Sequence, residues 1–259
     1  MTRGGVVVKR IKLYEFFLGE GDPESAKQIE FGFANIPQGE EERLRQYERY
    51  RPPIEALAKQ LESKQPAFDL KPLINLIKES PPADIKAALN KEMNHQSQLR
   101  DAFIAFRNAV KPKIKTEGMH YEHYTTLLQA FDLLYDEWEA LSNHSANYDK
   151  CYLVWRQIIG YLQRSLPAVD RFAFARAFED DERTPDFKYD RGSFPDVAAG
   201  DLGLSGLGFD EAIFGRAAVR GGGGQWPPRR ASGLKNTCRA KTSNLQNLCH
   251  RAESKRPAM

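Results

Sequence analysis

The chain has 259 residues, 41% of them apolar and 28% charged, and a net charge of +3, the make-up of a folded globular protein rather than a disordered one. It is long enough to bury a core without staples, and no apolar run nears the roughly 20 residues of a membrane-spanning helix. The N-terminus carries no secretory-signal pattern, and Cys151, Cys238 and Cys249 are too scattered for a disulfide framework, so a reducing, cytosolic setting is expected.

Charge is divided unevenly. Residues 215–259 hold ten Lys/Arg against the single acid Glu253, a net of +9, whereas residues 1–214 hold 28 basic and 34 acidic residues, a net of −6. The tail is therefore the part that anionic partners would attract.

In chain order, Val6–Phe17 alternates through Val8, Arg10, Lys12 and Tyr14, and Gln28–Ile36 puts Ile29, Phe31 and Phe33 on one face. Between them lies "GEGDPESAK", rich in turn formers. The pattern predicts a small N-terminal β-hairpin, residues 1–38, laid on the helices that follow. A short helix over Ile11–Leu18 is the alternative.

From Glu40 the period becomes helical, with Leu44, Tyr47, Ile54, Leu57 and Leu61 on one stripe. Pro52 and Pro53 predict either one kinked helix or, preferred, a division into two helices, the second with Pro53 in its first turn. A short helix follows Asp69, a candidate cap. The longest helix is expected from Ser80 to Lys111, striped by Ile85, Leu89, Met93, Leu99, Phe103, Phe106 and Val110. Another spans Tyr121–Leu141, with Leu127, Phe131, Leu134 and Trp138 on one face.

The stretch Cys151–Pro167 repeats apolar residues at Cys151, Trp155, Ile158, Ile159 and Leu162, with Arg156 and Arg164 off that stripe. It predicts a core helix with Trp155 buried, not a recognition surface. Short loops make these helices antiparallel neighbours. The fold class expected is mainly α: an antiparallel helical bundle over 39–178, an extended irregular arm over 179–214, and a basic, Gly/Pro-rich disordered tail over 215–259.

Few residues carry chemistry. His120 and His123, with Glu117 and Glu122 nearby, could ligate a metal and support a metal-dependent hydrolase, with His144 and Cys151 as further ligands. Their i, i+3 spacing is not the zinc-protease signature, and histidines at the start of a helix are the preferred reading. The acidic run in Phe178–Glu182 lacks the calcium-loop pattern. Cys238 with Cys249 and His250 lacks the spacing and fourth ligand of a zinc knuckle. The tail could bind nucleic acid non-specifically through residues 215–259, with Trp226 its only aromatic. No phosphate loop, nucleophile elbow or dinucleotide fingerprint occurs. No catalytic residue, cofactor or metal is assigned.

"WRQIIGYLQRSLPAVDRFAFARAFEDDERTPDFKY", with its tryptophan, the "QRSLPA" of Gln163–Ala168 and an Arg- and Phe-rich segment, resembles the C-terminal helical region of Legionella-type ankyrin-repeat effectors, virulence proteins delivered by a type IV secretion system. The resemblance covers Leu127–Tyr189. The chain departs from the family in carrying no ankyrin repeat and in the place of its acidic run. It implies an interaction module acting on a protein partner in a host cell, and it transfers no catalytic residue. The function expected is a non-enzymatic helical protein-interaction domain, with the hydrolase and tail-borne nucleic-acid binding as alternatives.

Overall fold

A computed structural model describes residues 7–90, 92, 94–111, 113–142, 149–167, 169–170 and 232–253, without the side chains of residues 142, 232–234 and 249–253. Among the described residues the chain is mainly helical. In order come β1 (Val7–Val8), α1 (Leu13–Glu20), α2 (Pro23–Phe33), α3 (Gly39–Ser63), α4 (Lys71–Glu79), α5 (Pro82–Asn90) and α6 (Gln98–Ala109). There follow β2 (Ile114–Lys115), α7 (Tyr124–Asp136), α8 (Trp138–Ser142), α9 (Asp149–Leu153), a π-helical segment (Val154–Ile159), α10 (Gly160–Gln163) and α11 (Ser232–Glu253). No described helix is long and apolar enough to cross a membrane.

The predicted N-terminal hairpin is replaced by two helices. The turn formers that suggested a hairpin loop are helix punctuation. Gly21 ends α1 in the left-handed conformation (φ 63°), Asp22 accepts the Ser25 amide at 3.1 Å, and Pro23 opens α2; a glycine stop, an aspartate cap and an N1 proline each favour that geometry. At the start of α1, the Glu15 carboxylate accepts the Lys12 backbone amide at 3.0 Å. Tyr14 then donates to Glu30 Oε1 at 2.8 Å and meets Phe33 edge to face at 5.5 Å, which closes the pair. The strands that do form are parallel, not antiparallel: Val7 pairs with Ile114 and Val8 with Lys115.

The double proline does not split α3, which runs unbroken through Pro52 and Pro53. Two ladder hydrogen bonds are lost there, but buried Tyr47, Tyr50, Ile54, Leu57 and Leu61 hold one continuous face across the site. By contrast, the long helix expected over 80–111 is two. Ser80 ends α4, its hydroxyl donating to the Leu76 carbonyl at 2.6 Å. Ser97 caps α6, accepting the Arg100 amide at 3.1 Å. A capping serine outweighs continuation through the polar "NHQ" before it. The helix expected over 121–141 is likewise divided, at Glu137, between α7 and α8.

Packing centres on α3, against which α1, α2, α7 and α11 lie; α5 meets α6 and α9, and α7 meets the π-helical segment. Arg49 of α3 ties α1 to the segment that follows β2. Its guanidinium pairs with Glu15 of α1 at 3.1 Å and with Glu117 at 3.0 Å. A continuous hydrophobic cluster runs from Tyr14 to Leu248.

The Cys151–Gln163 stretch differs from its predicted register. In the π-helical segment the Gly160 amide donates to the Trp155 carbonyl, five residues back. The wider turn buries Val154, Gln157, Ile158 and Ile159 and leaves Trp155 half-buried, its indole edge-on to Phe131 at 5.6 Å. Trp138, also expected in the core, is half-buried at its margin.

The tail expected to be disordered contains α11, a helix of 22 residues. Among its described side chains, Cys238, Lys241, Leu245 and Leu248 are buried, and burial of that stripe gives the helix a tertiary stabilisation that composition does not reveal. The arm expected over 179–214, the acidic run of Phe178–Glu182, His144, Trp226 and residues 215–231 of the tail lie outside the described residues.

Candidate functional site

Among the described residues, the most concentrated buried polar chemistry lies beneath α11. Lys241 is nearly fully enclosed; its ammonium donates to Asp170 Oδ2 at 2.7 Å and to the Glu20 carbonyl at the end of α1. The Tyr124 hydroxyl donates to the same Asp170 oxygen, and its ring faces the ammonium at 5.5 Å. Tyr121 stands edge-on to Tyr124 at 4.7 Å and donates to the Leu162 carbonyl at 3.1 Å. Burial pushes the Asp170 carboxyl up, opposed by the Lys241 ammonium and the Tyr124 hydrogen bond. Burial also holds both phenols well above their ordinary range. The site is a closed charge pair, not an exposed acid–base dyad.

Local structure explains why α11 can approach so closely. A Cβ on Gly21 would stand 2.9 Å from both Leu245 Cδ2 and Lys241 Cε, and its left-handed φ of 63° independently favours glycine. Gly19, two residues earlier, accepts the His120 amide on its carbonyl at 2.8 Å, and a Cβ there would overlap the His120 imidazole. Around the rim, Lys235 pairs with Asp132 of α7 at 2.7 Å, and Gln246 donates to Glu62 of α3 at 2.9 Å. Thus α11 is tied to α1, α3 and α7 at once, and its buried side chains recur at i, i+3, i+7 and i+10, the spacing of an amphipathic helix in a groove.

The residues singled out in the sequence are dispersed. His120 is buried, its Nδ1 3.7 Å from Glu20 Oε1 and its ring 5.2 Å from Phe16. His123 is half-buried, edge-on to Tyr121 at 5.8 Å, at the start of α7. Glu117 is taken by Arg49 and Glu122 by Lys115. Both histidines line a cleft shared with Lys111, Lys113, Lys115 and Glu122; the Glu122 carboxylate is paired with Lys115, and the excess of ammonium groups opposes a cation there. Among the described residues no group of three His, Cys, Asp or Glu side chains could hold a metal ion.

Cys151 and Cys238 are buried free thiols, each pushed up to about 12 by burial, a setting that suppresses nucleophilic reactivity. Arg156 stacks over Tyr152 at 5.4 Å and Arg164 over Tyr161 at 4.1 Å. Sequence reasoning missed Glu20, Tyr124, Asp170 and Lys241. The one available signal was the spacing of Cys238, Leu245 and Leu248, which places Lys241 inside an apolar stripe.

His123 gives a pH dependence. Burial, reinforced by Lys113 and Lys115 and opposed by Glu122, lowers its pKa from the ordinary 6.5. The unfolded chain therefore binds the proton more readily than the folded one. The stability associated with neutral His123 is present above about pH 6.5 and is lost as pH falls below it. In denaturant melts between about pH 7 and pH 5, His123→Gln should lose less stability on acidification than wild type. Equal losses would remove His123 as the cause.

The chain matches no protein-family model, and neither a curated protein nor a solved structure matches it.

Proposed function

We propose that the chain is a non-enzymatic helical protein-interaction module, arranged as an antiparallel bundle around α3, whose groove between α2, α3 and α7 receives an amphipathic helix. The observation that carries this reading is the seat of α11, where Cys238, Lys241, Leu245 and Leu248 are buried at groove-binding spacing. In the described state the chain fills the groove with its own helix, so α11 is a built-in competitor for an outside partner. A host-cell setting, with a host protein as that partner, belongs to the proposal through the resemblance of residues 127–189. Nucleic-acid binding by the tail is less favoured, because Lys235 and Lys241 are engaged with Asp132 and Asp170.

The test uses a full chain whose helix is released by Leu245→Glu and Leu248→Glu. A fluorescent peptide of residues 232–253 should bind this chain and bind wild type about a hundredfold more weakly, since a tethered helix competes at a high effective concentration. If the released chain keeps its helical circular dichroism and binds no peptide at about 100 μM, an affinity weaker than most specific complexes, the groove reading fails.

A further inference from the structure

Resting on that groove reading, we infer that the groove selects partner helices carrying a lysine opposite Asp170, with leucines four and seven residues further on. Asp170 and the Glu20 carbonyl are both acceptors at the groove floor, and Asp170 is buried. Among its described neighbours the Lys241 ammonium is the paired cation, while Tyr124 supplies only a neutral hydroxyl. A helix with an apolar residue at that place would bury the carboxylate without its counter-charge, a penalty that rejects the wrong partner more strongly than a lost contact.

The shape of the floor narrows the choice further. The backbone of Gly21 stands against the Lys241 stem and the Leu245 side chain, leaving room for a slim aliphatic chain ending in a compact ammonium. The planar fork of arginine is wider and is excluded. Leu245 and Leu248 supply the apolar anchors, and Cys238 sets a small residue three positions before the lysine. At the rim, half-exposed Lys235 and Asp132 add charge complementarity, which acts on encounter more than on affinity. The partner is therefore a protein segment that forms an amphipathic helix with small-x-x-Lys-x-x-x-Leu-x-x-Leu on one face.

Wild-type chain can report this directly, because Cys238 is buried in the docked helix and release of α11 would expose its thiol. Peptides of residues 232–253 with both cysteines changed to serine would be added, and alkylation of the chain's own Cys238 followed by mass spectrometry. The lysine peptide should speed alkylation of Cys238. Peptides with Lys241→Met or Lys241→Arg should need about thirtyfold or more higher concentration for the same effect. Equal potency of the three peptides would overturn the lysine rule and leave the groove standing. Failure of every peptide both to speed alkylation and to bind the Leu245→Glu, Leu248→Glu chain would overturn the groove itself.

Discussion

Lys241→Met should weaken the docking of α11 by about 3–5 kcal/mol, the range for removing one partner of a buried ion pair. Methionine keeps an aliphatic stem of similar length, so the loss isolates the ammonium, its 2.7 Å bond to Asp170 and its bond to the Glu20 carbonyl. Asp170 is then buried with only the Tyr124 hydroxyl as donor. Burial already pushes its carboxyl up, and Lys241 opposes that shift. Without Lys241 the carboxyl takes up a proton more readily, which keeps the loss towards the lower end of the range. Adding Asp170→Asn removes the stranded charge while preserving an acceptor for Tyr124. The double variant should therefore recover most of the loss in denaturant melts read on an α11 probe. A single variant no less stable than the double would show that the pair does not hold the helix.

Phe106→Ala should cost about 3–5 kcal/mol of global stability. Phe106 is fully buried on α6 and meets Phe68 at 5.5 Å and Tyr161 at 6.0 Å, both edge to face. It joins α6 to the segment before α4 and to α10, so a cavity there is lined by three elements with little freedom to collapse. Trp155→Ala is the informative contrast. The apolar stripe from Cys151 to Leu162 assigns Trp155 the same core role, but the π-helical turn leaves it half-buried beside Phe131. Its loss should fall clearly below that of Phe106, by about 1 kcal/mol or more at the usual area scaling. Denaturant midpoints of the two variants decide it, and a Trp155→Ala loss equal to or above that of Phe106→Ala would restore Trp155 to the core.

The helices that read correctly did so because a single period dominates their sequence. Tyr47, Ile54, Leu57 and Leu61 repeat cleanly, and all are buried. Leu127, Phe131 and Leu134 do the same in α7. Errors arose where a local signal admits two meanings. "GEGDP" suits a hairpin loop as well as a glycine stop followed by an aspartate cap, and only packing against α3 makes α1 and α2 the outcome. Proline usually breaks a helix interior, yet the buried Tyr50–Ile54 face carries α3 through Pro52 and Pro53. The π register has no sequence signature in Cys151–Gln163, and in it Trp155 is only half-buried.

The candidate site was the least legible part, for a reason of its own. Its acid, Asp170, and its cation, Lys241, stand 71 residues apart, and burial of a lysine runs against the composition of a basic tail. The uneven charge was visible at once; its use was not. Lys235 and Lys241 meet Asp132 and Asp170 within the same chain, so part of the +9 of the tail is matched against the −6 of the rest rather than offered to an outside polyanion.

Amide hydrogen exchange along α11 in the full-length wild-type chain tests the docked helix most directly. With α11 seated on α3, amides from Lys235 to Leu248 should be protected well above the level of an isolated helix of this length, which is marginal in water. Lys241→Met should lower that protection while leaving α3 and α7 unchanged. Exchange of residues 235–248 at the rate of an unstructured peptide, in a chain whose α3 is protected, would contradict the groove and its occupant together.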